Sequence, residues 1–283
     1  MSKRKKLFII LGVIIFLIGL LILLSFTVFS LKEVEIDFRT SQTNITLTSD
    51  EIIESGEFNY GGSVFFHNKK GYIKKIESAD PYIKVINIET TFPSKFVVHL
   101  AERQEIYSIL YNNQFLIFDD EFKVLKLSSS SENTMLIEGL SFKNEEVKVG
   151  DYLVFDYFPN VYEILFERNY NLGQQTAMIE KITVKDEFDD VVNKNQKDIQ
   201  LNLYNGQTYI IKNSEYGFKY KMQLFLNVFS QIYGLIGQKI QVEGVGEVTL
   251  TKDNIDNCQV VINNYYDWTS YDETDCYFNI IVS

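Results

Sequence analysis

A chain of 283 residues with 46% apolar and 23% charged side chains carries enough core material for an anchor and about two domains, which argues against wholesale disorder. Three prolines against 22 Phe and 18 Tyr lean toward β-structure. The net charge of −11 becomes −15 once Lys3, Arg4, Lys5 and Lys6 are set aside, because residues 1–30 hold no acid; so acidic an exterior argues against nucleic acid or an anionic lipid surface as its electrostatic partner.

Leu7 to Phe29 is a run of 23 residues without a charge, interrupted only by Gly12, Gly19, Ser25 and Thr27. At about 1.5 Å per residue a helix of that length crosses a ~30 Å hydrocarbon core with some tilt. The four basic residues before it predict a cytoplasmic N-terminus and an exported C-terminal part. A cleaved signal peptide would have a shorter apolar region and a small-residue cleavage site, neither of which is present here.

Beyond the span, Val34, Ile36 and Phe38 alternate as in a strand. Thr48-Ser49-Asp50-Glu51 has capping-box spacing and predicts a short helix ending near Gly56. A second helix is expected from about Asn68, with Tyr72, Ile73 and Ile76 as its apolar stripe, and must end before Pro81. Ile83–Glu89 and Ser94–Arg103 read as strands around a Phe92-Pro93 turn, which gives the order β-α-α-β-β.

That order resembles a POTRA domain, and its residues resemble the bacterial division family FtsQ/DivIB. The matching runs are Leu47-Thr48-Ser49-Asp50-Glu51-Ile52, Asp80-Pro81-Tyr82-Ile83-Lys84-Val85, Thr91-Phe92-Pro93 and Val97-Val98-His99-Leu100-Ala101-Glu102-Arg103. The resemblance is good over about residues 31–127, weaker from 135 to 233, and absent in the final fifty. POTRA domains usually act as docking modules, and an exposed sheet edge offers strand addition as one mode; the alternative is a spacer between membrane and distal domain.

Farther on, Ile106–Leu110 and Gln114–Phe118 flank an Asn112-Asn113 turn, and Lys123–Leu127 follows as a strand. Pro159 is expected as the first residue of a helix with Val161, Ile164 and Leu165 facing inward. Leu201–Tyr204 and Gln207–Ile211 flank Asn205-Gly206, a strong hairpin signal. Phe218, Met222, Phe225, Phe229 and Ile232 recur at helical spacing and predict a helix packed on a sheet. The family resemblance implies a lysine near the start of that helix, a place for Lys219 or Lys221. It also implies a Gly closing an Asp-x-x-Gly turn, where this chain reads Asp119-Asp120-Glu121-Phe122 and so needs another backbone path. Gln259–Ile262 and Tyr277–Val282 read as strands at the end of the sheet.

No residue pattern carries a reaction. His67 and His99 read as surface or edge residues; Asp119-Asp120-Glu121 and Asp186-Glu187 with Asp189-Asp190 read as solvated acids in turns; Gly244-Val245-Gly246 reads as a turn. No catalytic residue, cofactor, metal or small-molecule substrate is expected. Cys258 and Cys276 are candidates for a disulfide between neighbouring strands, or for free thiols, in an exported domain where oxidation is allowed. Tyr265, Tyr266, Trp268 and Tyr271, set among Asp267, Asp272, Glu273 and Asp275, are candidate partner anchors, since large aromatics in polar surroundings suit an interface; a hairpin packed on its own domain is the alternative.

The expected fold class is α+β: an N-terminal transmembrane helix, a β-α-α-β-β POTRA-like domain, then a mostly antiparallel β domain with packed helices. The expected divisions are a tail at 1–6, the span at 7–29, POTRA at 30–103, the β domain at 104–235 and its extension at 236–283. The resemblance implies a non-enzymatic scaffold in the cell membrane at the division septum. Its partners would be FtsL-like and FtsB/DivIC-like single-pass proteins and, through them, the septal wall synthase. A membrane-anchored chaperone or export factor of POTRA type is the alternative.

Overall fold

The structure, a computed structural model, describes residues 3–131, 133–167, 178–189, 194–242, 246–264 and 276–281. The chain divides into two compact units, Met1–Gln104 and Glu105–Ser283.

The first unit opens with α1, Lys3–Thr27. Within it Ile10–Thr27 has a mean hydropathy of 2.9 and no part buried inside the protein, so it is long and apolar enough to cross a membrane. The hydroxyls of Ser25 and Thr27 donate to the carbonyls of Leu21 (2.9 Å) and Leu23 (2.8 Å) one turn back, which satisfies them without water. The helix stops at Thr27, two residues short of the end of the apolar run, and the amides of Val28 and Phe29 both reach the Leu24 carbonyl.

Three strands follow in the sheet order β1-β3-β2: β1 (Glu33–Phe38) runs parallel to β3 (Lys95–Glu102), and β2 (Ile83–Thr91) antiparallel to it. Two helices, α2 (Ser49–Gly56) and α3 (Lys69–Ala79), cover one face. The capping box forms: the Thr48 hydroxyl accepts from the Glu51 amide at 3.4 Å, and Glu51 Oε2 accepts from the Thr48 amide at 2.8 Å. Asn68 caps α3 by accepting from the Gly71 amide at 3.1 Å. Ile52 and Ile76 from the helices meet Phe96, Val98 and Leu100 of the central strand, all fully buried; each such side chain is worth about 1.5–3 kcal/mol of burial.

The second unit is a sheet of nine described strands, ordered β14-β13-β10-β9-β8-β7-β4-β5-β6. In chain order they are β4 (Tyr107–Tyr111), β5 (Gln114–Phe118), β6 (Val124–Ser128), β7 (Met135–Glu138), β8 (Ile179–Asp189), β9 (Lys194–Leu203), β10 (Thr208–Ile211), β13 (Gln259–Asn264) and β14 (Cys276–Ile281). Pairing is mostly antiparallel; β4–β7, β7–β8 and β10–β13 are the parallel contacts. The short hairpin β11 (Lys239–Val242) and β12 (Gly246–Thr249) stands apart. It brackets the predicted Gly244 turn, of which residues 243–245 are outside the described residues.

Helices α4 (Val161–Glu167) and α5 (Phe218–Gln231), with the short α6 (Lys252–Asp256), complete this unit. Pro159 is not in α4 as expected. The helix begins at Val161, and Asn160 takes the capping position, its Oδ1 accepting from the Glu163 amide at 3.3 Å. The predicted stripe is buried at Met222 and Phe225 of α5 and at Ile232 just after it, and half-buried at Phe218 and Phe229. Phe225 meets Tyr209 of β10 edge-on, with ring centroids 4.8 Å apart. Both predicted hairpins form: Asn112 and Asn113 take positive φ (48° and 63°), and Gly206 sits at φ 93° between β9 and β10.

Candidate functional site

Alternation sends Val34, Ile36, Phe96, Val98 and Leu100 toward the helices of the first unit, which leaves a charged face on the other side of its sheet. Lys95 at the start of β3 pairs with Glu33 at 3.1 Å and with Glu35. His99 stands further along the same strand. Its Nδ1 faces Asp37 Oδ2 at 2.7 Å and Arg39 Nη2 at 2.8 Å, and its Nε2 faces Glu89 Oε2 at 3.1 Å. Arg39 also pairs with Asp37 at 2.8 Å. The imidazole therefore bridges β1, β3 and β2.

His99 is only 7% exposed and lies on the central strand, which corrects the expectation of a surface or edge residue. The sequence placed its neighbours on the opposite face; it did not show that strands would flank His99 on both sides. His67 is half-buried in the loop before α3, within hydrogen-bonding distance of the Tyr72 hydroxyl (2.6 Å) and the Gly62 carbonyl (3.2 Å). Each histidine is held by groups that fix the local fold.

Arg103 ends the motif run and is 3% exposed. Its Nε donates to the Ile83 carbonyl at 3.2 Å, and its Nη2 lies 3.3 Å from Glu77 Oε1, which also accepts from the Val85 amide at 2.8 Å. Arg103 and Glu77 thus clasp α3 to β2. Asp80 closes the same corner by accepting from Thr46 and Tyr82.

In the second unit Asp119 is a turn-former. Its Oδ1 accepts from the amides of Glu121 (3.0 Å) and Lys123 (2.8 Å), and its carbonyl accepts from the Phe122 amide at 3.1 Å. Phe122 takes the left-handed conformation, φ 66°, and its ring joins those of Phe118, Phe155 and Phe158 at centroid distances of 6.4, 5.5 and 4.7 Å. Asp186 and Glu187 lie on strand β8 instead of in a turn, and Asp186 pairs across to Lys197 of β9 at 2.7 Å. Lys221 is fully buried, and its Nζ donates to the carbonyls of Lys212 and Asn213, both at 2.7 Å. That lysine, which helical spacing alone marks as polar, fastens α5 to the end of β10. Among the described residues no group of three His, Cys, Asp or Glu side chains is placed to hold a metal.

The structure does not bring the two cysteines together. Cys258 is a buried free thiol just before β13, where Gln259 pairs with Ile281, whereas Cys276 pairs with Asn264 at the other end of that hairpin. The two positions are separated by most of the strand length, roughly 20 Å at about 3.3 Å per residue, against the ~7 Å limit between Cα atoms of a disulfide. Sequence spacing hid this because register decides it. Burial pushes the Cys258 thiol up to about 11. Tyr265, Tyr266, Trp268 and Tyr271 lie outside the described residues.

Residues 29–103 match the POTRA domain, FtsQ-type. The chain is 29% identical over 154 residues to the cell division protein DivIB of Clostridium botulinum strain Hall, covering 54% of this chain and 58% of the relative. It is 29% identical over 139 residues to the cell division protein DivIB of Clostridium tetani, covering 48% and 50%.

The chain carries an FtsQ-type POTRA domain and is similar to DivIB cell division proteins.

The alignments span only about half the length of these DivIB relatives. Arg103 acts as a structural clasp, and Lys221 as the buried anchor of the helix that follows the Asn205-Gly206 hairpin. Phe122, in the place where the resemblance implies a Gly, takes the left-handed backbone, and its ring occupies the aromatic cluster.

Proposed function

We propose that the chain is a non-enzymatic, single-pass scaffold of the bacterial division machinery, with residues 1–6 in the cytoplasm and the two folded units outside the membrane at the septum. The observation that carries this reading is an FtsQ-type POTRA unit set directly behind a helix long and apolar enough to cross a membrane. Charged groups of the first unit, Lys95 with Glu33, His99 with Asp37 and Glu89, and Arg103 with Glu77, are used in ion pairs and hydrogen bonds that hold the fold, which suits a structural module. The partners are single-pass division proteins of the FtsL and FtsB/DivIC kind and, through them, the septal wall synthase.

The partner surface lies on the sequence joining β13 to β14, where Tyr265, Tyr266, Trp268 and Tyr271 act as anchors and the neighbouring acids steer a basic partner. Co-purification from membranes tests the reading: a fixed pair of small coiled-coil proteins is expected, and a mixture of exported chains would instead favour a chaperone. Replacing Tyr266 and Trp268 with Ala should weaken capture by about 2 kcal/mol or more while thermal unfolding stays unchanged; a collapse of stability would make them core residues. A reporter fused after Ser283 should work only outside the cytoplasm, and activity of a cytoplasm-only reporter would reverse the topology.

A further inference from the structure

We propose that the exposed rings at the exit of α1, Phe65 and Phe92 packed on Phe29 together with Phe66 and Tyr60 of the loop that carries Phe65, lie in the lipid headgroup layer and seat the POTRA unit directly on the bilayer. The inference goes beyond the scaffold reading and needs only that α1 lies in a membrane. Phe65, Phe66, Phe92 and Tyr60 are 53%, 77%, 60% and 51% exposed, and Phe66 is the most exposed large apolar side chain among the described residues. A cluster of exposed rings calls for an occupant.

Continuity with the helix names that occupant. Phe29, two residues beyond α1, touches Phe65 and Phe92 at ring-centroid distances of 5.4 and 6.1 Å, and Phe65 and Phe92 meet at 5.5 Å. The chain leaving α1 is bonded to the loop that carries the patch: the Leu31 amide donates to the Gly62 carbonyl and the Val64 amide to the Phe29 carbonyl, both at 2.8 Å, and Ser30 bridges Ser63. The patch is therefore held at the level where the helix ends. The uncharged part of α1, Leu7–Thr27, spans roughly 31 Å, close to the ~30 Å hydrocarbon thickness, so Thr27 reaches the edge of the core and Phe29 stands in the interface. Tyr favours that layer, and Phe side chains bury at the headgroup–acyl boundary.

The charge pattern agrees. Residues 58–76, which carry Tyr60, Phe65 and Phe66, contain no acid and four lysines, in a chain whose net charge is −11. The acids on the adjoining strand, Glu33 and Glu35, are both paired with Lys95. The segment that carries the rings is thus free of acids, and apolar contact replaces electrostatic adsorption.

Depth-dependent quenching tests this with the full chain in phosphatidylcholine nanodiscs whose acyl chains are brominated near the headgroup for the patch and strand probes and near the chain ends for the mid-helix probe. Trp268→Phe removes the single native tryptophan, and F16W, F66W or I86W then supplies the probe. Phe16 and Ile86 are 70% and 53% exposed, and Ile86 lies on β2 six residues before Phe92 of the following turn, roughly 20 Å along the extended chain. The expected result is a loss of emission in F66W comparable to that in F16W, with I86W unquenched; F92W gives a second probe of the patch. An unquenched F66W beside a quenched F16W overturns the inference and leaves the anchor standing. Quenching of I86W as strongly as F66W also overturns it, since another face would then lie on the lipid. If F16W itself is unquenched, the anchor and the inference fall together.

Discussion

Phe122 offers a direct test of how the Asp119 turn is built. Its left-handed φ of 66° costs a non-glycine residue about 1–2 kcal/mol, while its ring packs on Phe118, Phe155 and Phe158. Truncating a fully buried Phe to Ala costs about 3–5 kcal/mol, and half-burial reduces that to roughly 2 kcal/mol here. Phe122→Ala loses the ring and keeps the strained backbone, so the full ~2 kcal/mol is expected. Phe122→Gly loses the same ring but relieves the backbone, which returns about 1 kcal/mol after glycine's greater freedom in the unfolded chain is counted. The glycine variant should therefore be the more stable of the two, by about 1 kcal/mol, or about 2–4 °C in Tm for a unit of this size. Urea and thermal unfolding of the 31–283 fragment, followed by the fluorescence of Trp268, measure both. Equal stability, or a more stable alanine variant, would show that the turn stores no left-handed strain and refute the reasoning.

Arg103→Met should destabilise the first unit by about 3 kcal/mol, because it strands the Glu77 carboxylate beside a buried corner; calorimetry of the same fragment would show one early transition, and an unchanged profile would demote the clasp. The Glu51 carboxyl is held below its ordinary value by hydrogen bonds from Thr48, so its contribution is present above the unfolded value of about 4.3 and is lost as pH falls. Glu51→Gln should therefore flatten the acid limb of the urea midpoint, and identical acid limbs would count against the cap. Because burial raises the Cys258 thiol to about 11, it should resist iodoacetamide in the native protein near neutral pH and react once unfolded. Peptide mapping without reductant should find no Cys258–Cys276 bridge; finding one would contradict the strand register.

Local rules settled much of this fold before tertiary contacts entered. An uncharged apolar run specifies a helix long enough to cross a membrane, the Thr48–Glu51 spacing specifies a helix start, and Asn205-Gly206 specifies a reversal, because each acts within its own segment. The stripe on α5 was readable for the same reason, since 3.6-residue periodicity survives in any packing. What the sequence left open depends on partners distant in the chain. His99 is enclosed only because β1, some sixty residues earlier, runs parallel beside it; Lys221 is buried only because β10 ends where its ammonium can reach two carbonyls. The cysteine pair fails on register, which local spacing does not encode, and Phe122 shows that tertiary packing of a ring can hold a backbone conformation that propensity assigns to glycine.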